Sequence, residues 1–427
     1  MRLLTSLLLL CGLAALPFVA RAQAPDFAQL SLSAADALLL QKNRDLQAAR
    51  RAVEAAQAAT LSAGARPNPN LSIGAASINP QVGLGGGALR DKIVDSSLRI
   101  DQLIERGNKR ALRLSTAKEL ETASSADLAD TLRQQRLALH GGYYDLLLAQ
   151  DRLTISADTA ALYQRSLEAA ALRLKAGDIA GSDVARIQVD ALRAQNDVRT
   201  AEADRRRAQL ALAYLIGAEP QADSIRAVDA WPDPHPLPGA NLDELIERRP
   251  DVRAARTRVA AADAARELAK SLRTRDVSLG AQFDHYPVNP SYAATSGAGT
   301  GNTWGLSVSV PLFTNYYFEG EIQSAEVAYS AAQESLEKTR ALAQTEIAKA
   351  HADVSAAADR LARYRGGLLA DAKKSADAAE FAYKNGAIGV MDLLDARRTL
   401  RSIQLDAAAA RADYAKALAA WQAGLGE

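Results

Sequence analysis

The chain has 427 residues, room for two or three ordinary domains, and a net charge of +1 from 51 basic and 50 acidic side chains. The two signs are interspersed, which excludes the concentrated positive surface that nucleic acid requires. Aromatics are only 5% of the sequence, so a core must be built from Ala and Leu, as in helices packed closely side by side.

The first predicted element is a secretory signal peptide over 1–22: Arg2, an apolar run from Leu3 to Leu16, and the small-residue pattern Ala20-Arg21-Ala22. Cys11, the single cysteine, lies inside it and follows Leu10 rather than the small residue that a lipidation site needs, so the exported protein is expected to be unlipidated and thiol-free. Nothing beyond the signal reaches the about 18 consecutive apolar residues of a spanning helix.

The remainder repeats itself once. "NRDLQAARRAVEAAQAA" (43–59) recurs as "RPDVRAARTRVAAADAA" (249–265), "LSIGA" (71–75) as "VSLGA" (277–281), and "LKAGDIAGSDVARIQV" (174–189) as "YKNGAIGVMDLLDARR" (383–398). Residues 23–230 form the first repeat and 241–427 the second, joined by a Pro-rich linker at 231–240 whose prolines bar helix and central strand. Each repeat reads helix, strand, loop, strand, very long helix, tight break, helix. The first half gives helix 33–66, strands 70–79 and 93–103 around a Gly-rich loop at 83–87, helix 109–175, a tip at 176–181 and helix 182–216. The second gives helix 241–272, strands 276–286 and 303–312, helix 318–384, a tip at 385–389 and helix 389–424.

The strands alternate. Trp304, Leu306, Val308 and Val310 fall on one face and Thr303, Gly305, Ser307 and Ser309 on the other; Val277, Leu279, Ala281 and Phe283 oppose Ser278, Gly280, Gln282 and Asp284. A half-buried soluble sheet gives this pattern, and so does a membrane barrel that is apolar toward lipid and polar toward a wet lumen. Four strands cannot close a barrel, which takes about eight, and open edges cannot stand in lipid. A transmembrane reading therefore demands several copies, with eight, twelve or sixteen strands for two, three or four subunits. In the long helices Leu132, Leu139, Leu146, Leu153, Ala160, Leu167 and Leu174 recur at every seventh residue, matched by Ile347, Val354, Leu361 and Leu368, as in helices that coil around neighbours.

The doubled element order, "RPNPNLSIGA" leading into the first strand, "VSVPLFTNYY" closing the last, and the paired tips "LRLKAGDIAGSDVARIQVDAL" and "FAYKNGAIGVMDLLDARRTL" together resemble the outer-membrane efflux proteins of the TolC family, across essentially the whole mature chain. "DQLIERGNKRALRLSTAKE" is similar to the Q-x-I-E-x-G-G-K-R stretch of the CzcC-like and CusC-like channels of heavy-metal pumps, with Asn108 in place of the second glycine. The resemblance implies a mainly α fold with a transmembrane β portion. Each chain of a homotrimer would give four strands to a shared 12-stranded outer-membrane barrel, continued by a long periplasmic α-helical barrel. It further implies a periplasmic adaptor and an inner-membrane RND pump as partners, outer-membrane lipid around the barrel, and passive conduction without a cofactor.

The tips carry the candidate site. Asp392 and Asp395, three apart, share one helix face; in a threefold tube they would make two acidic rings selecting cations, and the resemblance places the constriction there. An ordinary helix N-terminus also favours acids through its dipole. The resemblance puts Asp183 and Tyr383 at positions that latch the closed state, with Ile388 where relatives carry a basic partner. Gly177 and Gly386 are expected in left-handed conformation at the tips, where the adaptor would touch.

Enzymatic readings find no support. His140, His235, His285 and His351 are scattered without metal-ligand spacing, no nucleophile elbow occurs, and "GLGGG" lies between strands rather than before a helix, so it is no phosphate cradle. The sequence leaves two alternatives to a metal-efflux duct: a channel of the same fold for drugs and small organic compounds, and a soluble periplasmic coiled-coil adaptor.

Overall fold

The computed structural model of the chain describes residues 26–78, 81, 94–236, 242–287 and 301–425. The predicted signal peptide with Cys11, the Gly-rich loop at 83–87 and the end of the linker lie outside them. The elements in order are α1 (Leu32–Lys42), α2 (Arg44–Gly64), β1 (Asn70–Ala76), β2 (Asp95–Ile104), α3 (Lys109–Ala176), α4 (Gly181–Ile216), α5 (Leu242–Arg248), α6 (Pro250–Ser271), β3 (Val277–Tyr286), β4 (Gly301–Ser309), α7 (Glu319–Arg363), α8 (Leu369–Lys384) and α9 (Val390–Leu425). Among the described residues no helix is long and apolar enough to cross a membrane.

Three helices predicted as continuous are divided. The first breaks at Asn43, whose side chain accepts the Leu46 amide at 3.0 Å and so caps a new helix. Its counterpart breaks at Arg249, where Pro250 occupies the first position of α6 and cannot donate to the preceding turn. The third break falls between α7 and α8: Tyr364–Leu368 form a π turn in which Gly367 takes φ 143°, a conformation closed to side-chain-bearing residues. Two short 3₁₀ turns, Phe27–Gln29 and Glu219–Ser224, were not foreseen.

The chain packs as two compact units. One joins the described residues up to Gln41 with Gly142–Trp231; the other joins Lys42–Gly141 with the chain from Pro232 onward. In the first, Tyr143 is fully buried and its hydroxyl donates to Leu30 O at 3.0 Å while accepting the amides of Val228 and Asp229, each at 3.2 Å. Burial is the largest influence on this phenol, which is pushed up to about 12. Gln150 clamps the same segment by bonding both backbone groups of Ala227.

In the second unit the strands form one antiparallel sheet in the order β1-β2-β3-β4. Register places Leu71, Ile100, Ala281 and Leu306 in one row and Ile73, Leu98, Phe283 and Trp304 in the next, all on one face. This apolar face is bare: Trp304 is 81% and Leu306 92% exposed. The other face carries Ser72, Arg99, Gln282 and Gly305 in one row and Asn70, Asp101, Gly280 and Ser307 in the next.

The motif 105–113 joins sheet to helix. Arg113 grips Glu105 with two hydrogen bonds of 2.6 and 3.1 Å and also reaches the carbonyls of Ala63 and Ala65. That grip, against the opposing effect of burial, holds the Glu105 carboxyl below its usual range. Lys109, nearly buried, bonds Asp276 at 2.8 Å and Thr274 O at 2.7 Å. Between them Gly107 and Asn108 both take positive φ, 68° and 61°. Asparagine tolerates that region better than other residues with a side chain, which explains how it replaces a glycine there.

The helices of this unit pack through the predicted seam. Ile347, Val354 and Leu361 of α7 are buried in one cluster with Ala410, Tyr414, Leu418 and Trp421 of α9. The next expected member, Leu368, is 45% exposed; burial resumes instead at Ala372 and Ala376. The step from Leu361 to Ala372 is seven plus four residues, the spacing by which a coiled coil absorbs an insertion. Beside the turn a cleft of about 340 Å³ is lined by Leu361, Tyr364, Arg365, Leu369, Lys373 and Arg411.

Because Gly367 has no room in conformational space for a Cβ, Gly367→Ala is expected to lower stability by about 1–3 kcal/mol while preserving the fold. Thermal unfolding of the detergent-solubilised protein checks this, with Gly366→Ala, a position with open space and no positive φ, as the milder comparison.

Candidate functional site

Two helical tips were expected, and both form by the same backbone device. At the first, Gly177 has φ 83°, its amide donates to Leu174 O at 3.0 Å, and the Asp178 amide donates to Arg173 O at 2.9 Å. At the second, Gly386 has φ 73°, its amide donates to Tyr383 O at 3.1 Å, and the Ala387 amide donates to Ala382 O at 2.9 Å. This paired closure satisfies carbonyls that a helix end leaves free, and it needs a left-handed residue at its centre. A Cβ at either glycine would meet open space, so backbone angle and not crowding selects glycine.

The second tip turns directly into α9. Val390, Leu393, Leu394 and Arg397 form its buried face, and Asp392 and Asp395 lie exposed on the other. Among the described residues neither carboxylate has an ion-pair or hydrogen-bond partner. Arg397, the basic residue nearest in sequence, does not neutralise them. It is only 8% exposed and reaches back to Glu380 of α8 at 3.3 Å.

Glu380 also receives Lys384 at 2.8 Å. The hydrogen bond from Lys384, opposed by partial burial and reinforced by the charge of Arg397, holds the Glu380 carboxyl below its ordinary 4.5. This clamp between α8 and α9 was missed in the sequence. Its signal was the periodicity 390, 393, 394, 397, which puts Arg397 on the apolar face of α9 with a buried charge to satisfy.

Asp183 stands in the first turn of α4 and pairs with Arg186 at 3.7 Å. It belongs to one compact unit, and Tyr383, half-buried near the end of α8, belongs to the other. No group of three or more His, Cys, Asp or Glu is placed to hold a metal ion among the described residues.

The sequence model for outer membrane efflux proteins matches residues 37–218 and again 241–427. The chain belongs to the outer membrane efflux protein family. It is 26% identical to the cobalt-zinc-cadmium resistance protein CzcC of Cupriavidus metallidurans over 375 residues, covering 87% of this chain and 84% of that one. Among solved structures it superposes on the outer-membrane channel OprN with a TM-score of 0.76 at 25% identity, over 92% of this chain and 89% of that one. It superposes on CusC with a TM-score of 0.74 at 19% identity, over 92% and 91%. The fold is TolC-like, and the efflux protein resides in the outer membrane of a Gram-negative cell with a periplasmic helical portion. Family members are channels of tripartite pumps rather than enzymes, so the soluble-adaptor alternative falls.

A carboxyl held below its ordinary value stabilises the folded hairpin above that value, and the contribution disappears as pH falls through the lower folded one. Protection factors for amide hydrogen exchange across α8 and the start of α9 are therefore expected to fall as pH drops below 4.5 in the wild-type protein, once the intrinsic slowing of exchange at low pH is divided out. Glu380→Gln should flatten that extra dependence.

Proposed function

We propose that three copies of the chain pool their sheets into one twelve-stranded barrel and their helices into a hollow periplasmic tube. This duct passively conducts heavy-metal cations delivered by an RND-class pump through a periplasmic adaptor. The observation that carries the assembly is the four-stranded sheet with a bare apolar face. Its two outer strands have no second partner among the described residues, and lipid tolerates no unpaired edge. The cargo reading draws on the likeness to a cobalt-zinc-cadmium resistance protein and on the exposed pair Asp392 and Asp395.

In the trimer each carboxylate becomes one of three around the axis, giving two stacked acidic rings at the periplasmic end. Such rings enrich cations and repel anions in a narrow opening. Asp183 and Tyr383 act as the latch between neighbouring hairpins, the carboxylate accepting from the phenol. With Ile388 in place of a basic residue, the closed state is held by fewer bonds. Gly177 and Gly386 mark the tips that meet the adaptor.

Deleting the gene is expected to lower tolerance to one or more of zinc, cobalt, cadmium, nickel and copper several-fold, with restoration by the wild-type copy. Unchanged metal tolerance with new sensitivity to organic compounds would replace the cargo reading by that of a drug channel. In planar bilayers, Asp392→Asn with Asp395→Asn should reduce cation over anion permeability. Asp183→Ala and Tyr383→Phe should each raise the open fraction; if both leave it unchanged, the latch is wrong.

A further inference from the structure

The four strands contain a single Arg or Lys, Arg99, and it lies on the polar face at the middle of β2. Its guanidinium does not project from the sheet. Nε and Nη2 donate to the two carboxylate oxygens of Asp101 at 2.7 and 2.8 Å, Nη1 donates to Gln282 Oε1 at 3.3 Å, and Nη2 donates to Ser307 Oγ at 3.2 Å. One side chain thus lies across three strands. The forked bond to Asp101 is the strong, geometrically specific form of a guanidinium–carboxylate pair, with opposite charges in direct contact.

Room for this comes from Gly280, which opposes both Asp101 and Ser307 in the register. A Cβ there would stand 3.1 Å from Arg99 Nη2, 2.6 Å from Asp101 Oδ1 and closer still to Ser307 Oγ. Gly305, opposite Gln282, keeps the adjoining row low as well. A glycine in mid-strand weakens a sheet, and its presence marks a place where another group must approach the backbone. Here that group is the ion pair, which remains partly open to solvent, at 38% and 25% side-chain exposure.

We propose that Arg99, neutralised by Asp101 and seated over Gly280, is a specificity-determining residue of the barrel lumen, separate from the carboxylates at the helical tip. The inference rests on the proposed assembly, in which the polar face lines the pore. Each copy contributes one cation at the same height, and three bare guanidinium groups there would oppose the passage of metal ions. Asp101 removes that charge and the glycine keeps the pair flat against the wall. The barrel then admits cations although the one Arg or Lys of the described strands faces the stream.

The test is the reversal potential of the trimer in planar bilayers under a potassium chloride gradient, run in the wild-type background and with Asp392→Asn and Asp395→Asn. Asp101→Asn should lower the cation-to-anion permeability ratio several-fold, Arg99→Gln should raise it, and the double variant should return toward the starting value. Gly280→Ala, provided it assembles, should move the ratio in the direction of Asp101→Asn by prising the pair apart. Conducting channels whose ratio is indifferent to both single substitutions, in both backgrounds, would overturn the proposal. A wild-type protein that forms no channel would instead sink the assembly on which it rests.

Discussion

Backbone amides and carbonyls in hydrocarbon must find partners, and this chain supplies a sheet that satisfies only its inner strands. From that constraint the rest follows. In the proposed assembly β1 and β4 pair with strands of other copies, the apolar face with Trp304 and Leu306 meets lipid, and the polar face lines the lumen. The helices need no such completion for their backbones, yet Leu368 stands exposed where the seam approaches the tip, an apolar side chain suited to a neighbouring helix. The proposed barrel and tube would thus be two expressions of one incompleteness.

The junction at residues 105–113 shows how such a structure survives the change of surroundings. Above it lie strands whose exterior is apolar; below it lie helices whose cores are alanine, leucine and a few aromatics. Glu105, Lys109, Arg113 and Asp276 meet at the boundary, pairing charges and capping the loose carbonyls of Ala63, Ala65 and Thr274. Charged groups placed there can be hydrated on one side and bonded on the other. The left-handed pair Gly107 and Asn108 turns the chain sharply enough to bring them together.

Much of this was legible in the sequence because it depends on periodicity and on glycine. Alternation put Trp304 with Leu306 and Phe283 with Ala281 on the apolar face of their strands, and the register joins Trp304 and Phe283 to Leu98 and Ile73 in one row. Both tips could be placed from Gly177 and Gly386, since few other residues adopt their backbone angles. What escaped notice depends on contacts between distant segments. Asn43 looks like an ordinary helical residue until its side chain is seen to cap Leu46, and Arg397 is seen to hold α9 against α8 only when Glu380 proves to be a partner. The π turn escaped for another reason: an extra residue leaves no mark in composition, only a lapse in a repeat that is already imperfect.

That turn makes the two long helices mechanically unequal. α3 runs from Lys109 to Ala176 as one uninterrupted helix of 68 residues. Its counterpart is articulated. Between Leu361 and Ala372 on one strand of the hairpin, and between Arg397 and Ala407 on the other, no apolar side chain is buried. Apolar side chains there, such as Tyr364 and Leu369, are only half-buried, and Gly366 and Gly367 add no side chains to stiffen the turn. The carboxylates of α9 are therefore carried beyond an elbow, and bending at Gly366 and Gly367 would displace Asp392, Asp395 and the second tip together as one lever.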